Sequence, residues 1–484
     1  MNQLQTIARR IMIERGLLPD FSPAVLAEVA AVSQAPVAQT PGVRDLRELL
    51  WASIDNDTSR DLDQLSVAER WTGGAVKIRV AVADVDAVVR PRSAIDQHAR
   101  TNTTSVYTAA GIFPMLPERL STDLTSLGQD QDRLAIGIEW VVDADGTVRD
   151  PDVYRALVRN RAKLAYGSVA AWLGGSAPAP PAVDAVPGID EQIRIQDRVA
   201  QSMRTRRFQH GALSLQTFQS QAVFAGNDLA DLRPDEPNRA KELIEDLMVA
   251  ANGVTANFLA HKGFPSLRRV LRSPERWGRI VALAKDLGDD LPTEASGEAL
   301  AAFLTKRKVA APDRFADLSL SVVKLLGRGE YVLEWPDGKP AGHFALAVTD
   351  YTHSTAPNRR FPDLVTQRLL KAAMAARPVP YTDADLRALA MHCTVQETQA
   401  AKVERHVNKS GAALLLASRI GQRFDALVTG ASERGTWVRI AHPATEGKVV
   451  RGFKGLDVGD RTRVELVSTD VERGFIDFAG PGGS

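Results

Sequence analysis

The period of the hydrophobic pattern changes twice along the chain, which limits it to a helical start, a mixed helix-and-strand middle and an all-strand end. Leu4, Ile7, Ala8, Ile11 and Met12 recur at helical spacing and the run stops near Gly16, which predicts a short amphipathic helix. Ser22 is placed to cap a second helix, with Pro23 at its first position and Val25, Leu26 and Val29 as its apolar face. Residues 36–42 break the pattern, so residues 1–43 read as a helical module with a linker, either a helix-turn-helix or a docking appendage. Over residues 44–415, segments 77–84 and 134–142 predict strands, segments 190–207, 240–259 and 362–376 predict helices, and the Pro, Ala and Gly run at 174–188 predicts a surface loop. Within residues 416–484, short alternating strands at 423–428, 436–440 and 463–467 fall between Gly430, Gly435, Gly452, Gly455 and Gly459, the pattern of a small OB-fold β-barrel. The predicted class is α+β and multidomain, in three parts.

Composition narrows the chemistry. At 484 residues, 44% hydrophobic and 25% charged, the chain lies in the ordinary globular range and holds about three domains. Its single cysteine, Cys393, forms no internal disulfide and supplies no Cys-rich zinc site, which suits a reducing cytosol and leaves oxygen ligands open. Arg9 and Arg10 sit in the middle of the weakly apolar stretch Met1 to Glu14, unlike a secretory signal, and no run approaches the ~18 apolar residues of a spanning helix. The expected location is therefore cytoplasmic, with no membrane partner. Sixty basic residues nearly cancel 59 acidic ones, leaving a net charge of +1, so a nucleic-acid role requires a local groove. Arginines cluster at 204–207 and 268–272, which fits either a solvated helix face or phosphate recognition.

The densest acidic cluster holds Asp55, Asp57, Asp61 and Asp63, followed by Gln64. On an extended segment Asp61 and Asp63 point to one face, and Asp55 can return to it across a short loop. Such hard oxygen ligands suit Mg²⁺ or Mn²⁺, and a solvated acidic turn is the alternative. An EF-hand is excluded, because its sixth position would be Arg60 instead of Gly and its twelfth Ser66 instead of Glu. A second constellation runs over residues 351–364, where Pro357 and Pro362 bracket a turn that sets Arg359 and Arg360 at a helix entrance suited to phosphate. A guanidinium beside a carboxylate-bound metal is the arrangement phosphoryl transfer requires.

The acidic run is followed in order by Val82-Ala83-Asp84-Val85, Thr104-Ser105-Val106-Tyr107, Pro114-Met115-Leu116-Pro117, Leu120-Ser121 and Asp132-Arg133-Leu134-Ala135, then by segments 242–252 and 352–364. This series resembles the RNB catalytic domain of the ribonuclease II/ribonuclease R family, over residues 44–415. Segment 421–478 resembles the S1-type OB fold that closes these enzymes. The resemblance implies a processive, Mg²⁺-dependent hydrolytic exoribonuclease, with Mn²⁺ as a substitute. It would work 3′ to 5′ on single-stranded RNA, release nucleoside 5′-monophosphates, and act as a cytoplasmic monomer without an obligate protein partner. By the same resemblance Asp55, Asp61 and Asp63 match carboxylates that hold metal and position water, and Arg359 matches the arginine at the scissile phosphate. Tyr107 matches a tyrosine stacked on the terminal base and Tyr166 one near the scissile end; Glu245 corresponds to a glutamate reading a ribose hydroxyl and Glu404 to a carboxylate at the product end. Core packing for the tyrosines and a helix-surface position for Glu245 are the alternatives.

Three departures qualify the implication. Gln64 stands where the family has a second adjacent aspartate; an amide oxygen can bind a metal or a water but carries no charge. A catalytically impaired RNA-binding member is therefore the alternative function. About 43 residues precede the RNB-like segment, too few for a cold-shock barrel, so RNA approach falls to the C-terminal barrel. There Trp437 is a candidate stacking or structural ring, and Arg439, Arg451 and Arg463 are candidate phosphate contacts. Leu215 stands where some members place an aromatic, and no lysine-rich tail appears, which leaves duplex unwinding unsupported.

Overall fold

The computed structural model describes residues 2–35, 42–216, 220–226, 228–338, 340–432 and 435–481; the expected break at 36–41 lies outside them. Local chemistry starts the helices. Asn2 accepts the Gln5 N–H at 2.9 Å while the Gln5 side chain accepts the Asn2 N–H at 3.2 Å, opening α1 (Gln3–Glu14) with a capping box. The Ser22 hydroxyl accepts the Val25 N–H at the start of α2 (Pro23–Ala31). Val25 and Val29 are buried as expected, but Leu26 is 54% exposed. The face of α2 turned to the body is instead completed by Glu28, whose carboxylate accepts the Ala94 and Ile95 N–H groups at 2.8 and 2.9 Å.

The central sheet is built from β1 (Val43–Asp45), β2 (Ala52–Asp55), β3 (Gln64–Arg70) and β4 (Val76–Ala83), then, after α3 (Ala94–Asn102) and the hairpin β5 (Val106–Thr108) and β6 (Gly111–Phe113), from β7 (Asp132–Val142), β8 (Val148–Arg159) and β9 (Ala162–Ala165). Its order is β1-β8-β7-β4-β3-β2-β9, with β1 and β9 joined in parallel and the rest antiparallel. The run Val80 to Ala83 is β-branched or small and wholly buried because helices cover the sheet. Those helices include α4 (Tyr166–Leu173), α6 (Ile189–Gln209) and α7 (Arg239–His261); the expected loop at 174–188 contains the one-turn α5 (Pro181–Asp184).

After the hairpin β10 (Ser220–Ala225) and β11 (Asp228–Pro234) and the strand β12 (Ser266–Val270), a separate apolar cluster centred on Trp277, Phe303 and Phe315 gathers α8 (Trp277–Asp286), α9 (Gly297–Ala310) and α10 (Pro312–Leu326). Leu215 packs against this cluster. β13 (Glu330–Glu334) pairs with β12, and α11 (Phe361–Met374) enters the main core. The 34-residue α12 (Asp383–Leu416) opens on a Thr382–Asp385 capping box. It packs against α1 through Val403 and Val407 and against the closed barrel of β14 (Arg423–Ser432), β15 (Gly435–Ile440), β16 (Thr445–Arg451), β17 (Arg461–Asp470) and β18 (Phe475–Ala479). The two N-terminal helices are thus docked separately, α1 on α12 and α2 on α3. Among the described residues, no helix is long and apolar enough to cross a membrane.

Candidate active site

Asp55 ends β2 and Asp63 immediately precedes β3; the Ala52–Ser66 register, continued toward the loop, sets them opposite each other. The connecting loop is pinned on several sides. Ser59 Oγ donates to Asp55 at 2.9 Å, Ser126 Oγ accepts the Leu62 N–H at 3.0 Å and donates to the Arg60 carbonyl at 2.7 Å, and the Ala83 N–H binds the Asp63 carbonyl at 2.9 Å. Second contacts of this kind hold a carboxylate array in one geometry.

Asp63 is only 3% exposed. One of its oxygens accepts the Asn358 backbone N–H at 2.9 Å and the other the Arg359 Nε–H at 3.2 Å. Burial nevertheless dominates and pushes its carboxyl up to about 7. Burial likewise raises Asp61, with the Asp55 charge adding to it. Burial alone would weaken the Arg359 guanidinium, but Asp63 together with Tyr107, Asp55 and Asp363 outweighs it and the pKa rises. The Arg359 side chain keeps 43% of its surface exposed, so it can still meet an anion. Arg360, the other arginine expected at this helix entrance, is paired with the fully buried Asp363 at 2.8 Å and is less exposed than Arg359.

The two tyrosines flank this centre. Tyr166 follows Ala165, which pairs with Asp55 across β2 and β9, and its phenol is raised by burial and by the Asp55 charge. Tyr107 is 40% exposed; burial of the remainder raises its phenol, and the charges of Arg359, Asp61, Asp63 and Asp55 all reach it. Glu404 accepts the Tyr107 N–H at 3.1 Å, and burial raises its carboxyl. The structure therefore gathers Asp55, Asp61, Asp63, Arg359, Tyr107 and Tyr166, with Glu404 adjoining. Gln64 begins β3 opposite Val82. Glu245 stands exposed on α7 and its charge reaches Tyr351. Trp437 is half-buried on the barrel, where the Lys448 ammonium lies 6.0 Å from its ring.

Tyr107 and Glu404 also line a cavity of about 1640 Å³ between α10, α12 and the barrel. Seven basic residues (Arg272, Arg276, Lys324, Arg328, Arg405, Lys409 and Arg439) outnumber four acidic ones in its wall. Arg439 is not an open phosphate contact: it bridges the barrel to α10 through Asp317 at 3.3 Å and also binds Glu446 at 2.8 Å, with little of it exposed. The arginine clusters are similarly engaged, Arg204 and Arg207 with Asp246, and Arg268, Arg269 and Arg272 with Asp350, Glu397 and Glu330.

Among the described residues, no three His, Cys, Asp or Glu side chains come together as a metal-ligating group. Asp63 is committed to Arg359 and Asn358, whereas Asp55 and Asp61 repel each other in the way a divalent cation relieves. Two carboxylates suit Mg²⁺, which takes one or two of them together with waters and substrate phosphate oxygens. The sequence reading missed Ser126 and the Asn358 backbone as supports of this site; a buried Ser followed by Leu carries no signal of such a role.

Comparison with known proteins gives the site its context. The RNB domain model matches residues 43–376, and the RNase II-type exonuclease C-terminal S1 domain model matches residues 422–480. Ribonuclease R of Aquifex aeolicus is 28% identical over 98% of this chain and 70% of its own length. The Mycoplasma genitalium RNase R, solved with ribose-methylated single-stranded RNA, superposes with a TM-score of 0.86 at 22% identity, over 99% of this chain and 78% of that one. Yeast Ssd1, a pseudonuclease, superposes at 0.73 with 16% identity, over 95% of this chain and 57% of its own. With the family model spanning most of its length and this acidic centre at its heart, the chain belongs to the RNB family of ribonuclease R and its relatives.

Proposed function

We propose that the protein is a processive 3′ to 5′ exoribonuclease that hydrolyses single-stranded RNA to nucleoside 5′-monophosphates, as a monomer in the cytoplasm. The observation that carries this reading is the Asp63–Arg359 pair standing beside Asp55, Asp61 and two tyrosines at one side of a basic-walled cavity. Asp55 and Asp61 would hold a Mg²⁺ or Mn²⁺ ion, which when bound supplies charge stabilisation for the attacking and leaving oxygens. Arg359, aligned by Asp63, would neutralise the nonbridging oxygens of the last linkage. Tyr107 would stack on a base near the 3′ end through its exposed ring, a contact indifferent to base identity. Glu245 would face the ribose, where a 2′-hydroxyl distinguishes RNA from DNA.

A 5′-labelled poly(A) strand and a matched DNA strand, each incubated with Mg²⁺, Mn²⁺ or EDTA, test this. Stepwise shortening of RNA alone, lost in EDTA, is the expected outcome; intact RNA in both metals removes the catalytic reading. Gln64 and the likeness to a pseudonuclease favour one second reading, an RNA-binding protein without turnover. Gln64→Asp separates the two. If the parent is active, the added carboxylate tightens Mg²⁺ and changes the rate by less than about tenfold, whereas turnover appearing only in the variant identifies Gln64 as the inactivating residue.

A further inference from the structure

The hairpin that carries Tyr107 is held from outside by side chains of α12. Tyr107 and Ala109 are alternate residues along one edge of the hairpin, and neither N–H is used by the partner strand. The first donates to Glu404 at 3.1 Å and the second to Asn408 Oδ1 at 2.8 Å. The geometry explains the fit: residues four apart on a helix rise by about 6 Å, and alternate residues on a strand advance by about 6.8 Å. Two oxygens on one helix face can therefore stand in for the edge of a neighbouring strand. One turn further on, Gly411 lets the two backbones approach, since a Cβ there would lie 2.8 Å from the Ala109 Cβ.

The base of the same hairpin is tied to the arginine segment: the Ser105 N–H binds the Arg359 carbonyl at 3.0 Å, and the Phe361 N–H binds the Thr103 carbonyl at 2.8 Å. The hairpin is thus fixed at its base to the anion-binding arginine and along its edge to α12. What remains open is the Tyr107 ring, facing the cavity that Asn408 also lines.

We propose that Asn408 is a positioning residue, which fixes the angle of the Tyr107 hairpin and so the seat of the base that Tyr107 stacks on. The inference rests on the proposed RNA reading for its kinetic consequence but not for its structural one. Asn408 needs only an acceptor oxygen at this place, so Asn408→Asp retains the function and Asn408→Ala loses it. Glu404 secures one N–H of the edge, and Asn408 secures the N–H at the turn, beside the apolar packing of Ala109 and Ala110.

Hydrogen exchange on the full-length protein is measured for residues 105–113 in the parent, Asn408→Ala and Asn408→Asp, with thermal melting as the folding control. Exchange at the hairpin tip is expected to speed up at least tenfold in the alanine variant alone. Digestion of a 5′-labelled oligo(A) ladder then gives the KM and the length of the final product for these proteins, for Tyr107→Ala and for the double variant. Asn408→Ala is expected to raise KM and lengthen the final product as Tyr107→Ala does, with kcat nearly unchanged. It adds nothing further in the Tyr107→Ala background. Unchanged exchange in a folded Asn408→Ala protein overturns the proposal, and so do fully additive effects in the double variant. Should Asn408→Ala fail to fold, Asn408→Ser takes its place, the shorter side chain falling short of the Ala109 N–H. If the parent degrades no RNA, the failure belongs to the functional reading, and exchange together with oligo(A) affinity still decides the role of Asn408.

Discussion

Asp63→Asn is expected to slow nucleotide release by about 10²- to 10³-fold, the usual cost of removing one preorganised charge contact at a reacting centre. The amide oxygen can still accept the Asn358 N–H, so the backbone turn stays in place, but the guanidinium of Arg359 loses the carboxylate that aligns it. RNA affinity should hold or tighten, because a negative charge leaves the pocket. Single-turnover release from labelled oligo(A), measured beside equilibrium binding, checks both halves. A rate within threefold of the parent would remove Asp63 from the chemistry.

The same variant carries a stability signature of opposite sign. Asp63 is raised from an ordinary carboxylate value to about 7 in the folded protein, so folding favours its protonated form. Whatever stability that form contributes is complete below about pH 4 and is lost as pH rises toward 7, since the unfolded chain ionises first. Metal-free Asp63→Asn should therefore gain on the parent across that window and keep the gain above it. A parent that melts higher than the variant at pH 8 would contradict this. Activity and stability then trade against each other at one side chain.

The second large effect is on folding alone. Arg368 on α11 is 6% exposed and binds Asp86 at 2.9 Å, Asp96 at 2.8 Å, the Val89 carbonyl at 3.1 Å and the Tyr381 hydroxyl at 3.0 Å. Arg368→Met fills similar space but leaves Asp96, itself buried, facing the core without its cation. Removing one partner of a buried ion pair costs about 3–5 kcal/mol. Lys371 reaches Asp86 at 3.0 Å and supports that carboxylate, so the loss falls on Asp96. Denaturant melts should show it, and adding Asp96→Asn to Arg368→Met should recover a large part; equal melts for parent and Arg368→Met would refute the assignment.

What could be read beforehand follows the range of the interactions. The Ser22–Pro23 start, the stop near Gly16 and the alternation of the barrel strands depend on residues a few positions apart, and they appear where the sequence predicts them. Motif order singles out the candidate site residues, whereas their pairing has no such signal: Asn358 reaches Asp63 across 295 positions, and no local pattern announces it. The Arg360–Asp363 pair is local, at i, i+3 spacing, and there a carboxylate competes with phosphate for the guanidinium. No helix is predicted over α8 to α10, although Trp277, Ile280 and Ala284 mark a buried stripe. Leu26 looked apolar enough to be core, but a nine-residue helix has one inward face and Glu28 took part of it.

At about 1.5 Å per residue, the 34 residues of α12 make a rod about 50 Å long. Two of its turns serve two neighbours at once: Glu404 and Asn408 hold the Tyr107 hairpin, and His406, between them in sequence, contacts the Glu472 carbonyl of the barrel at 3.2 Å. On the proposed reading such a stretch is a shared mount. The innermost base seat and the barrel are fixed to the same two turns of one rigid helix, so the number of nucleotides spanning both is a fixed quantity. A strand shorter than that span loses its outer grip in a single step, and digestion should stop at a defined remnant.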